Sequence, residues 1–148
     1  MGALSGSAST DIDAPIEAVW AIVQDVESAP AWQRGIDSMK ALEHDADGRP
    51  TSCDTVTDMK VKVFDARVSF EYDPPARLSW TQERGDLKSL TGSWQLDDLG
   101  DGRTRAVYTL HADPGVLLSR FLKGALEEKL RSRLIDGRPA ELKARAER

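Results

Sequence analysis

Asp113-Pro114-Gly115-Val116-Leu117-Leu118-Ser119-Arg120-Phe121-Leu122-Lys123-Gly124-Ala125-Leu126-Glu127-Glu128-Lys129-Leu130-Arg131-Ser132-Arg133-Leu134-Ile135 carries the longest periodic pattern in the chain. Asp113-Pro114-Gly115 reads as a turn and helix start, because proline fits a first helical turn where its missing N–H is not needed. Leu118, Phe121, Leu122, Ala125, Leu126, Leu130 and Leu134 then recur at helical spacing and form one apolar face. Arg120, Lys123, Glu127, Glu128, Lys129, Arg131 and Arg133 take the other face. Asp136-Gly137-Arg138-Pro139 is expected to end the helix, since proline cannot continue the hydrogen-bond ladder. Pro114 to Ile135 spans 22 residues, roughly 33 Å at helical rise. A long amphipathic helix that follows many short strands implies a sheet to pack against.

Those strands are legible upstream. Residues 4–13 are small and polar, with Thr10 and Ile12, and read as an edge or crossover strand. Asp13-Ala14-Pro15-Ile16-Glu17 reads as a capped helix start, and Ser28-Ala29-Pro30-Ala31-Trp32 as a second, shorter one. From Gly35 the pattern turns to β. Ile36–His44 is a strand closed by the turn-rich Asp45–Pro50. Thr55–Phe64 alternates, with Thr57, Met59, Val61 and Val63 on one face. Ala66–Tyr72 sets Val68, Phe70 and Tyr72 against Arg67, Ser69 and Glu71. Leu78 and Trp80 share a face of the next strand. Leu90, Gly92, Trp94 and Leu96 align after it, and Ala106, Tyr108, Leu110 and Ala112 align last. Such short connections suit antiparallel pairing, and alternation on nearly every strand leaves one face buried and one wet. The fold class is α+β, an antiparallel sheet of six to seven strands packed against a long C-terminal helix, with two short helices after the first strand. One domain over residues 1–148 is expected, with 1–7 and 139–148 as loosely ordered ends.

Composition sets the bounds on function. A chain of 148 residues, 40% hydrophobic and 30% charged, describes a soluble globular protein, with no apolar run long enough to span a membrane. The sole cysteine, Cys53, excludes an intrachain disulfide and fits a cytoplasmic setting. Residues 119–148 hold 9 basic and 5 acidic side chains, a net +4 within a chain of net −5. The acidic body argues against a nucleic-acid groove. The basic end leaves room for transient contact with a membrane surface, but a solvated helix face, with cations favoured near a helix C-terminus, is the preferred reading.

The element order, with particular words in it, resembles the helix-grip superfamily of START-related proteins, also described as SRPBCC or polyketide cyclase/dehydrase-like. The words are Asp13-Ala14-Pro15-Ile16-Glu17-Ala18-Val19-Trp20; Pro75-Ala76-Arg77-Leu78-Ser79-Trp80 leading to Leu90-Thr91-Gly92-Ser93-Trp94; and Gly102–Tyr108 running into Asp113-Pro114-Gly115. What the resemblance implies is a helix-grip fold, a curved antiparallel sheet around the long C-terminal helix, with an elongated apolar cavity between them whose mouth is framed by the two short helices and neighbouring hairpins. The superfamily includes lipid and quinone carriers, plant-type ligand binders and aromatase/cyclases, so the fold alone does not select a function.

No metal site is expected, since His44 and His111 are the only imidazoles and lack ligand spacing. No cofactor is implied, and no nucleophile motif is present. Trp32, Met59, Val61, Phe70, Trp80, Trp94 and Tyr108 are the expected sheet-side contacts for an apolar ligand. Leu118, Phe121, Leu122 and Leu126 are the expected contacts from the helix. Tyr72, Tyr108 and Arg67 are the candidates for proton handling should the resemblance extend to a cyclase. The alternative reading makes each tyrosine a core residue with a backbone partner and Arg67 a solvated outer-face residue. Binding of a hydrophobic lipid, polyketide, isoprenoid or quinone by a monomer or homodimer is the first expectation. A cyclase or dehydrase is the second, and a protein-interaction module the third.

Overall fold

Strand β1 (Leu4–Ile12) pairs along its whole length with the last strand, β7 (Arg103–Asp113), Leu4 opposite Ala112 and Ile12 opposite Thr104. The computed structural model describes residues 4–60, 62–120 and 123–148. Between these two strands lie α1 (Ile16–Gln24), a 3₁₀ turn (Val26–Ser28), α2 (Ala29–Trp32) and five further strands. The strands are β2 (Ile36–His44), β3 (Pro50–Asp58), β4 (Val63–Asp73), β5 (Arg77–Gly85) and β6 (Ser89–Gly100). They form one antiparallel sheet in the order β1-β7-β6-β5-β4-β3-β2. Each strand from β2 to β7 therefore lies beside its chain neighbour, while α1 and α2 carry the chain from one sheet edge to the other.

The helix start at α1 differs in detail from its expected form. Pro15 itself occupies the cap position, with no side-chain cap bond. Asp13 instead pairs with Arg103 at 3.3 Å across the strand end. The strand faces are largely as the alternation predicts: Val68 and Phe70, Trp94 and Leu96, and Ala106, Tyr108, Leu110 and Ala112 are buried on one face, while His111 is exposed.

The β3–β4 turn falls earlier than expected. The alternation of Met59, Val61 and Val63 suggested a strand through Phe64, but β3 stops at Asp58 and β4 starts at Val63. The Asp58 carboxylate accepts the Lys60 N–H at 2.8 Å, and Lys60 sits at φ 70°. An aspartate bonding the backbone two residues ahead is a turn-forming device that competes with the strand ladder. Phe64 thus faces the core while Val63 is half exposed.

The C-terminal helix is displaced along the sequence. Among the described residues in the first part of the expected span, Val116–Ser119 (α3) is helical. Lys123 is extended and Gly124 has φ 57°, a left-handed conformation that no α-helix interior accepts. Helix α4 (Gly124–Arg131) begins there, passes through a π turn (Ser132–Asp136) and continues as α5 (Arg138–Ala146). Gly137-Arg138-Pro139 does not end the helix. The Gly137 N–H donates to the Ser132 carbonyl at 2.9 Å, five residues back. This wider turn absorbs a proline whose ring would otherwise clash with the carbonyl four residues earlier.

Residues 139–148, expected to be loose, therefore pack. Leu142 is fully buried beside Leu130, Leu134 and Ile135 on the sheet-facing side. The Arg131 guanidinium donates to the Ser5 carbonyl, and Lys143 donates to the Asp11 carbonyl at 3.0 Å, seaming this helix to edge strand β1.

Candidate functional site: an aromatic cavity with one buried arginine

The inner sheet face does not meet the helix everywhere. Between β2–β7 on one side and Val23, Val26, α2, Leu134 and Arg138 on the other lies a cavity of about 120 Å³. Its wall is built from aromatics in contact. Trp32 and Trp94 have ring centroids 6.3 Å apart, Trp94 and Tyr108 4.7 Å, Tyr108 and Trp80 5.7 Å, and Trp80 and Phe70 6.3 Å. The register explains this run: Phe70 lies opposite Trp80 on β4–β5, and Trp94 opposite Tyr108 on β6–β7. The residue opposite Trp80 on β6 is Gly92, whose missing side chain leaves room for the indole. Centroid separations of this size lie within the range in which aromatic pairs attract beyond their area burial.

Five of the expected contacts line the cavity: Trp32, Phe70, Trp80, Trp94 and Tyr108. Met59 is buried in the core but takes no part in the wall, because the early turn carries it away from β4. Leu126 is half-buried against the core and also lies off the wall, because the helix begins later than expected. Val61, Phe121 and Leu122 lie outside the described residues. So does the side chain of Leu118.

Two of the three proton-handling candidates are elsewhere. Arg67 is on the outer sheet face, where its Nε donates to Asp54 at 2.9 Å. That pair holds the Asp54 carboxyl below its ordinary range. The Tyr72 hydroxyl donates to the Pro50 carbonyl, and its ring packs edge-on against Trp20 at 6.4 Å rather than lining the cavity. Tyr108 alone is a wall residue. Burial pushes its hydroxyl pKa up, and the Arg138 guanidinium beside it opposes that rise. At neutral pH Tyr108 is therefore a hydrogen-bond donor or acceptor, not a base.

Arg138 is the wall residue the sequence reading passed over, taken there as part of a helix stop. Its side chain is 2% exposed. One guanidinium nitrogen, Nη1, donates to the Arg34 carbonyl at 2.6 Å and to Glu141 Oε1 at 3.0 Å. Glu141 Oε2 in turn accepts the Arg34 N–H at 2.9 Å. Both polar groups of residue 34 are thus held from one helical turn. The Nε of Arg138 is buried and has no partner among the described residues. The signal available in the sequence was Arg138-x-x-Glu141, an ion-pair spacing on a helix, concealed by the adjoining Gly137 and Pro139.

The remaining chemistry is sparse. Among the described residues there is no cluster of three or more His, Cys, Asp or Glu side chains. Cys53 is buried, and its thiol is pushed up to about 12 by burial, with Glu27 and Asp54 adding to the effect. No helix among the described residues is long and apolar enough to cross a membrane.

A family profile for polyketide cyclase/dehydrase and lipid transport proteins matches residues 12–137. This chain belongs to that family. No curated protein sequence matches it. Among solved structures, a START superfamily protein from Mycobacterium smegmatis superimposes with a TM-score of 0.81 at 19% identity, covering 97% of each chain. The Zhui aromatase/cyclase from a Streptomyces species gives 0.76 at 16% identity, over 99% of this chain and 94% of that one. A protein of Thermus thermophilus gives 0.79 at 20% identity, over 96% of each. At these identities the likeness establishes the START-like fold. Within the polyketide cyclase/dehydrase and lipid transport family, the cavity between sheet and C-terminal helix is the natural place to seek function.

Proposed function

We propose that the chain binds a hydrophobic small molecule in the cavity between its sheet and C-terminal helix. The carrying observation is the wall itself, a continuous run of Trp32, Trp94, Tyr108, Trp80 and Phe70 along one cavity. Apolar surface removed from water contributes about 25 cal/mol per Å², and one or two polar groups then set orientation. An apolar cavity of about 150 Å³ takes up benzene, and about 120 Å³ is of the same order, the scale of one ring or a short branched chain. Asp25, the exposed lining residue, marks the side on which the cavity nears solvent. A monomer or homodimer in the cytoplasm, with its one buried thiol reduced, fits this reading.

A second reading is favoured by the neighbouring Tyr108 and Arg138. An aromatase/cyclase could use the two to polarise a carbonyl, with Tyr108 neutral and Arg138 charged. Tyr72 and Arg67 drop out of that reading because neither reaches the cavity.

Native mass spectrometry of the purified protein, followed by organic extraction, tests the first reading. A bound apolar molecule of defined mass is the expected result. An apo mass together with no uptake of a hydrophobic dye would overturn it. Tyr108→Phe separates the two readings: a binder keeps its ligand, whereas a cyclase keeps binding and loses turnover.

A further inference from the structure

At one end of the sheet three loops are stitched side by side. The Asp86 N–H donates to the Asp65 carbonyl and the Asp65 N–H to the Asp86 carboxylate, both at 2.9 Å, tying the β3–β4 loop to the β5–β6 loop. The Lys88 N–H donates to the Asp113 carbonyl at 2.8 Å and ties the β5–β6 loop to the chain leaving β7. Helix α4 begins at the same end. The helical stretch meets Ser5 of β1 at Arg131 and Asp11 at Lys143, so Gly124 lies about 10 Å before the Ser5 contact at helical rise, on the side of the loops. This loop end carries the two most exposed large apolar side chains among the described residues, Val116 at 69% and Val63 at 50%. Around them stand the exposed cations Lys60, Lys62, Lys88, Arg120 and Lys123. The carboxylates of Asp58, Asp86 and Asp113 are turned into the loops, where each accepts a backbone N–H at 2.8–2.9 Å. Asp65 and Arg84 border one hollow on the outer sheet face and offset each other. Five cations against three inward carboxylates leave this end positive on a chain of net −5.

We infer that this loop end docks on an anionic lipid bilayer, Val63 and Val116 entering the headgroup boundary while the basic side chains around them meet lipid phosphates. Exposed apolar side chains gain by leaving water, and lysine and arginine stems lie along apolar surface while their charged heads stay among the headgroups. Each basic residue close to an anionic leaflet strengthens binding about fivefold. The rest of the chain is acidic and is repelled by the same surface, so the field turns this end towards it. An acidic protein would answer the cations alone; the valines exposed among them favour lipid. Phe64 and Leu87, which border the cavity, belong to these same loops, so the docked end is also a wall of the cavity. The inference stands apart from the ligand-cavity reading, because vesicle binding is measured with no ligand present.

Sedimentation of the full-length protein with two kinds of vesicle tests this, one of phosphatidylcholine alone and one of phosphatidylcholine mixed equally with phosphatidylglycerol. The protein is expected to pellet with the anionic vesicles, to stay in solution with the neutral ones, and to be released by salt. Lys60→Glu with Lys62→Glu should weaken anionic binding more than tenfold, and Val63→Ser with Val116→Ser should weaken it severalfold. Arg145→Glu with Arg148→Glu, at the far end of the C-terminal helix, should leave it unchanged. No pelleting with anionic vesicles, or equal pelleting with neutral ones, would overturn the inference. Binding that survived the lysine or the valine pair, or that was lost with the arginine pair, would overturn it too. These positions are on the surface, and circular dichroism checks the fold of each variant. The series on lipid composition and salt needs no variant, so it decides even if one fails to fold.

Discussion

The indole of Trp80 occupies the position a side chain at Gly92 would take: a Cβ built there would lie 2.4 Å from the ring. The two residues face each other across β5 and β6, so the contact is set by register and cannot be relieved by a rotamer change at position 92. Gly92→Ala should therefore drive the ring into the cavity. Overpacking of this kind costs about 1–3 kcal/mol, and Gly92→Val should cost more. The check is a urea midpoint measured beside probe uptake: both should fall, and the pair Gly92→Ala with Trp80→Leu should recover stability.

Arg138, buried, and Glu141, half-buried, form an ion pair that also grips the residue 34 peptide. Removing one member of a buried pair strands the other, at about 3–5 kcal/mol. Arg138→Ala should thus be among the most destabilising substitutions in the chain. Arg138→Met combined with Glu141→Leu should lose much less, and a double-mutant cycle on denaturation midpoints will show the difference.

The end of the chain is structural. Leu142 is fully buried against the sheet side of the helix, and Leu142→Ala should cost about 2–5 kcal/mol. A chain stopped at Gly137 loses Leu142, Arg138 and Glu141 together. It should lack cooperative thermal unfolding, as a calorimetric scan will record.

Alkaline pH should weaken the fold. The Cys53 thiol is pushed up to about 12 from an ordinary 9.0, and the Tyr72 and Tyr108 hydroxyls are also raised, each chiefly by burial. A group with a raised folded pKa stabilises fully below its unfolded value, and that contribution is lost as pH climbs through the folded one. The urea midpoint should hold to about pH 9, the ordinary thiol value, and then decline as cysteine and the tyrosines ionise more readily in the unfolded chain. A flat midpoint from pH 8 to 11 would contradict this. The same burial should leave Cys53 inert towards an aromatic disulfide reagent at pH 8 until urea is added.

Much of this architecture could be read from the residues because most strands obey a simple period. Ile36–His44 is bounded as its turn residues indicate, and the phases of Phe70, Trp80, Trp94 and Tyr108 place them together on the inner face. The reading failed where the period persisted through a change of structure. Met59, Val61 and Val63 keep alternating across a turn that Asp58 makes with its own backbone. The apolar row Leu118 to Leu126 runs straight over Gly124, whose left-handed conformation interrupts any helix there. Pro139 misled in the opposite sense, because a π turn can accommodate what an α turn cannot. Arg138 was overlooked for the same reason: burial of an arginine depends on partners from Arg34 and Glu141, and only the fold brings Arg34 to it.

The pairing of β1 with β7 has a consequence for how the protein is made. The first strand of the sheet is an edge whose one sheet neighbour among the described residues is the last strand, about a hundred residues later. The helix that covers the sheet comes later still. Until then the nascent chain presents the aromatic inner face of β4–β6 with nothing over it, a surface that invites other chains. Closing so distant a contact is entropically costly and slow. The sheet is thus closed last, by the joining of its first and seventh strands.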